Sequence, residues 1–129
     1  MKLKAANPIF VVPNVADTLE WYAANLGFQI IVNSSGYGVM RRDALEIHLM
    51  PVHKESGATN PNHRVKAAAS DVYVVVEDVD TLHANCTARG LNIPRPLETQ
   101  AKLSREFVME DLNGYRLCFS QEFKNWRNA

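Results

Sequence analysis

One pattern occurs twice in this chain. Residues 8–13 (PIFVVP) and 72–76 (VYVVV) are apolar runs rich in β-branched residues, of a length and composition that suit buried strands. Each leads into a helix start. Asn14 in the first case and Asp78 in the second are good N-cap residues, and acidic residues follow in the first turn, where the helix dipole favours them. Asp17-Thr18-Leu19 then matches Asp80-Thr81-Leu82, Gly27 matches Gly90 and Ile30 matches Ile93, with no gaps. Each glycine falls where a left-handed residue would end the helix. The spacing predicts helices close to residues 15–26 and 79–89.

In the first helix Val15, Leu19, Tyr22 and Leu26 form one apolar stripe. Val79, Leu82 and Cys86 keep that spacing in the second until Arg89 interrupts it. Strands follow each helix: 28–33, 38–42 and 44–50 in the first half, with Ser34-Ser35-Gly36 as a turn. The second half gives a short strand near 91–93, then 104–110 and 115–120 around the turn Asp111-Leu112-Asn113-Gly114. The fold class is therefore α+β, with two tandem βαβββ modules. Neither module hides both faces of its sheet, so the two are expected to form a curved mixed sheet around a cleft, helices on the outer faces. Module one covers about 5–52, a polar connection 53–69, module two about 70–121 and a tail 122–129. The tail's apolar residues, Phe123 and Trp126, are candidates for packing on a partner subunit.

A chain of 129 residues fits a single domain. Fourteen basic residues balance fourteen acidic ones, which excludes the broad electropositive face of a nucleic-acid or membrane-surface binder. No apolar run reaches the roughly 20 residues of a membrane helix, and the start carries no secretory signal pattern. Cys86 and Cys118 are too few for a disulfide scaffold and read as buried thiols in a reducing compartment. A cytoplasmic protein is expected.

The segments FVVPNVADTLEWYAANLGFQI and SREFVMEDLNGYRLCFSQ, with RRDALEIHLMPV and DVYVVVEDVDTL between them, resemble the landmarks of the glyoxalase/bleomycin-resistance/extradiol-dioxygenase (vicinal oxygen chelate) superfamily. In its metal enzymes the first and last strand of each module each supply a ligand, usually His, Glu or Gln. Those positions fall near Asn7, His48, Asp71 and Cys118. Only His48 is a common ligand of such sites, and Cys118 would make an unusual set for an oxygen-chelating metal. The resemblance thus implies no metal and no other cofactor. Pro8, Arg41-Arg42-Asp43 and Arg105-Glu106-Phe107 are similar to the metal-free bleomycin-resistance proteins. These imply a homodimer that sequesters a small organic molecule in clefts shared between subunits, with possible exchange of the N-terminal arm. The alternative is a metal-dependent lyase, isomerase or dioxygenase with a relocated site using His48 with Glu46 or Asp71. Where those drug-binding relatives carry a Trp before the Arg-Glu-Phe strand, this chain has Ala101-Lys102-Leu103-Ser104. A neutral or zwitterionic aromatic compound is therefore expected in place of bleomycin.

Strand alternation selects the side chains that can meet a ligand. Leu45, Ile47 and Leu49 face the helix, which turns Glu46, His48 and Met50 the other way. Leu117 and Phe119 likewise leave Arg116, Cys118 and Ser120. Asp71, Tyr73 and Val75 share a face, as do Asn7, Ile9 and Val11. The candidate ligand-binding residues are Glu46, His48, Asp71, Tyr73, Arg116 and Cys118, and no catalytic residue is assigned. Cys118 as a nucleophile would need a base such as His48 and a lowered pKa. His53, His63 and His83 read as surface residues.

Overall fold

In β1 (Ile9–Val12) Phe10 and Val12 are buried while Ile9 and Val11 are exposed, the period-two pattern of a strand with one covered face. The computed structural model describes residues 1–53 and 58–123. The chain divides into two units, Met1–Thr59 and Asn60–Ala129. In the first, β1 is followed by α1 (Val15–Leu26), β2 (Gln29–Ser34), β3 (Tyr37–Arg42) and β4 (Leu45–Pro51). The sheet runs in the order β1-β4-β3-β2, with β1 parallel to β4 and the other pairs antiparallel.

The Asn14 side chain caps α1 by accepting the Asp17 N–H at 2.9 Å. Gly27, at φ 67°, closes the helix with its N–H on the Tyr22 carbonyl. The stripe Val15, Leu19, Tyr22 and Leu26 is buried as its spacing predicts, and Thr18 is buried with it. Tyr22 lies edge-on to Phe28, their ring centroids 5.3 Å apart.

The second unit repeats the order: β5 (Val72–Val75), α2 (Val79–Ala88), β6 (Asn92–Gln100), β7 (Ser104–Glu110) and β8 (Arg116–Glu122). Its sheet runs β5-β8-β7-β6, with β5 parallel to β8. Asp78 caps α2 at the Thr81 N–H, 3.1 Å away, and Gly90 follows the helix at φ 71°. At the β7–β8 turn Asp111 Oδ1 accepts the N–H groups of Asn113 and Tyr115 at 2.8 and 2.9 Å, and Gly114 takes φ 90°. No helix among the described residues is long and apolar enough to cross a membrane.

The structure corrects four sequence expectations. The repeat is not gapless: the caps Asn14 and Asp78 are 64 positions apart, Gly27 and Gly90 only 63, so the second stretch from cap to glycine is one residue shorter. The cap register therefore makes His83, not Leu82, the counterpart of Leu19 in the repeat. His83 accordingly lies half-buried, edge-on to the Phe107 ring at 5.1 Å, instead of on the helix surface. The strand near 91–93 extends through Pro94 and Pro96 to Gln100. Those prolines are tolerated because β6 ends its sheet and its register with β7 is irregular. His63 is no surface residue either: from the 3-10 turn Asn62–Arg64 its Nε2 reaches the Gly114 carbonyl oxygen at 2.9 Å.

Candidate functional site

On the face of the first sheet opposite α1, four side chains join end to end. Tyr37 Oη and His48 Nδ1 are 2.5 Å apart, and His48 Nε2 lies 2.7 Å from Glu46 Oε2. Glu46 Oε1 accepts from Arg41 Nη2 at 3.0 Å and Nε at 3.2 Å. The backbone dictates this meeting. The β3–β4 hairpin pairs Arg41 with Glu46 and Val39 with His48, so Tyr37, two residues before Val39, stands diagonal to His48 on the same face. The hydrogen bond from His48, then the fork of Arg41, hold the Glu46 carboxyl below its usual pKa. Around this polar line lie Ile9 and Met50, exposed apolar residues on neighbouring strand positions.

The second sheet carries the same ladder with its chemistry exchanged. Tyr73 pairs with Cys118 as Ile9 pairs with His48, so Cys118 occupies the position of His48. Arg116 then stands where Glu46 does, and its register partner Glu110 where Arg41 does. The ion pair survives with its signs reversed: Arg116 Nε donates to Glu110 Oε1 at 3.0 Å. Glu106 takes the place of Tyr37, with Arg95 Nη2 at 3.7 Å and the Ser104 hydroxyl at 3.2 Å. Burial, then the neighbouring Glu106 charge, push the Cys118 thiol up to about 11. Such a thiol stays protonated at neutral pH and is a poor nucleophile. Tyr73 Oη lies 2.9 Å from Ser120 Oγ and 3.2 Å from Glu122 Oε2, and burial raises its pKa.

Of the six candidate residues, Glu46 and His48 meet in the first unit, and Tyr73 and Cys118 are register partners in the second. Asp71 and Arg116 also come together, but in a framing role. Asp71 Oδ1 accepts the Asn62 N–H at 2.9 Å and Oδ2 the Arg116 N–H at 2.8 Å. Arg116 Nη1 reaches the Ala67 carbonyl at 3.4 Å. These bonds tie the latter part of the connection to β8. Arg105 donates to Asp80 on α2 at 3.1 Å, so its charge is offset. Tyr37 and Arg41 were missed by the sequence reading, although alternation applied to β3 puts both on the face of His48.

The donor set does not fit a metal ion. Both His48 nitrogens are engaged in hydrogen bonds, and both Asp71 oxygens accept backbone N–H groups. The described residues include no group of three His, Cys, Asp or Glu able to hold one. A groove of about 350 Å³ lies at the start of α1, lined by Pro13, Asn14, Ser34 and Pro51 among others, with no ladder residue in its wall.

Two βαβββ units, each with one helix and a four-stranded mixed sheet, define an α+β fold of tandem modules. The chain belongs to the Glyoxalase/Bleomycin resistance protein/Dioxygenase superfamily, whose family model matches residues 5–119. None of the curated proteins matches it in sequence. Among solved structures it is similar to the bleomycin-binding protein of bleomycin-producing Streptomyces verticillus complexed with copper(II)-bleomycin. That likeness has 21% identity and a TM-score of 0.71, covering 94% of this chain and 98% of the other. TioX from Micromonospora sp. ML1 gives 16% identity and a TM-score of 0.70, covering 93% of this chain and 100% of its own. A glyoxalase-related enzyme from Clostridium phytofermentans gives 16% and 0.75, covering 95% and 98%. At these identities the likeness is one of fold.

Proposed function

We propose that this protein is a metal-independent, homodimeric binding protein that sequesters a small organic molecule, a reading supported by its likeness in fold to bleomycin-binding proteins. The reading rests on one observation above all. At His48, Asp71 and Cys118, three of the four positions where the superfamily's metal enzymes carry ligands, the side chain is hydrogen-bonded within the protein or buried, and apolar strand residues lie beside them. A few fixed polar groups on an apolar background suit the recognition of a small molecule. The ligand-facing residues are Glu46 and His48 in module one and Tyr73 and Cys118 in module two, with Asp71 and Arg116 holding the frame. The ladder charges cancel in pairs, Arg41 with Glu46 and Arg116 with Glu110. Each face, so neutralised, favours a neutral or zwitterionic aromatic compound over a polycation.

Elemental analysis of protein purified without chelators tests the reading. Less than a tenth of an equivalent of zinc, nickel, iron or manganese is the expected result, and stoichiometric metal would overturn it. Calorimetry at physiological salt tests the ligand class. Small aromatic zwitterions should bind measurably and bleomycin weakly, whereas submicromolar bleomycin affinity would show the charge argument to be wrong.

A further inference from the structure

The Tyr37–His48–Glu46–Arg41 chain has a defined hydrogen-bond polarity. Two N–H groups of Arg41 converge on Glu46 Oε1, which fixes that side chain as a carboxylate. A carboxylate only accepts, so the proton on the facing His48 nitrogen must sit on Nε2. In neutral His48, Nδ1 is then a bare lone pair, and the Tyr37 hydroxyl must donate to it. Tyr37 Oη has spent its only proton inward and retains lone pairs that can only accept. Arg41 and Glu46 neutralise each other at 3.0 Å, so with this tautomer of His48 the chain has no net charge with which to select an ion. Its surroundings are apolar: Ile9 and Met50 are 55% and 45% exposed, and Val39 pairs with His48.

We propose that Tyr37 is a ligand anchor in module one and that it takes a neutral O–H or N–H donor on an apolar body, phenol being the simplest of the class. This rests on the small-molecule reading above and adds to it both the residue and the ligand chemistry. His48, Glu46 and Arg41 are positioning residues, each fixing the proton of the next. The anchor is not duplicated in module two, because Glu106 and Cys118 stand at the positions of Tyr37 and His48.

The test is a matched pair of probes, phenol and anisole, which share the ring but differ in the donor. Each is titrated against protein carrying ¹⁵N-labelled histidine, with the His48 ring nitrogens as the readout. In the unliganded protein His48 should show a protonated Nε2 and an unprotonated Nδ1. Phenol should move the Nδ1 resonance saturably and bind about 2- to 10-fold more tightly than anisole, the worth of one ordinary hydrogen bond. Equal binding of both to the wild type would overturn the anchor while leaving a ligand-binding face in place. No perturbation by either would overturn the small-molecule reading of this face as well. The opposite tautomer, which needs no variant to detect, would overturn the anchor by itself.

Discussion

A Cβ added to Gly38 would sit 2.7 Å from Val15 Cγ1 and 3.3 Å from Leu19 Cδ1, both on buried faces of α1. Val15 is β-branched and stiff about χ1, so it has little room to yield. Gly38→Ala should therefore lower stability by about 1–3 kcal/mol, the usual cost of overpacking, as read by urea denaturation. Phe107 stands at the corresponding position of module two, where His83 replaces Leu19 as its cover. Cys118 offers a second test at this scale. Its folded pKa of about 11 lies above the reference value of 9.0. Between those values the unfolded thiol loses a proton that the folded one keeps, so unfolding stability falls as pH rises through this window and is unaffected below it. Cys118→Ala should start less stable at pH 8, because a buried side chain is truncated, yet lose less stability on going to pH 11. A slope equal to that of the wild type would show that the thiol is not held up by its surroundings.

Helix capping shows what the sequence made legible at the scale of elements. Asn14 and Asp78 were readable as N-caps, and both accept the N–H three residues on. Asn14→Ala should cost about 1 kcal/mol. Asp78→Ala should lower the melting temperature at pH 7, and by progressively less as pH falls below the ordinary carboxylate range. The Thr81 hydroxyl and N–H hold the Asp78 carboxyl below its usual pKa, so its stabilisation is present above the unfolded value and lost as pH falls through the folded one. The strands were legible for the same reason as the caps, since alternation and turn residues are local signals. Register was less so. The identical Asp-Thr-Leu triplets drew the repeat into a match that the caps shift by one residue, and this misplaced His83. The ladder was hidden because its members belong together only through pairing: Tyr37 and His48 are 11 positions apart and meet across the hairpin turn at Asp43, where φ is 52°. Once that turn is fixed, Arg41 must face Glu46. The extent of β6 was obscured by Pro94 and Pro96, which argue against a strand everywhere except at a sheet's end.

For the whole molecule the open question is assembly. Of the four strands that end the two sheets, β6 and β2 are treated unequally. On β6, Pro94 and Pro96 remove N–H donors that another chain could use, and Arg95 and Glu98 place charge there, which is how natural edges discourage pairing. On β2, every residue is exposed; the strand reads Gln-Ile-Ile-Val-Asn-Ser, with no proline and no charge, and Ile30, Ile31 and Val32 are 40%, 39% and 41% exposed. An uncharged edge with three consecutive apolar residues is the kind of surface a second copy covers, because a two-fold axis lets one strand pair with itself. Phe123, at 48% exposure, adds apolar area beyond β8, while Trp126 lies outside the described residues. The chain should therefore sediment as a dimer at micromolar concentration. Ile31→Lys, at the register irregularity where β2 departs from β3, should shift it towards monomer with little change in melting temperature measured at low concentration. A wild-type monomer at high micromolar concentration would refute dimerisation. A dimer indifferent to Ile31→Lys would place the contact elsewhere and leave the β2 edge without a role.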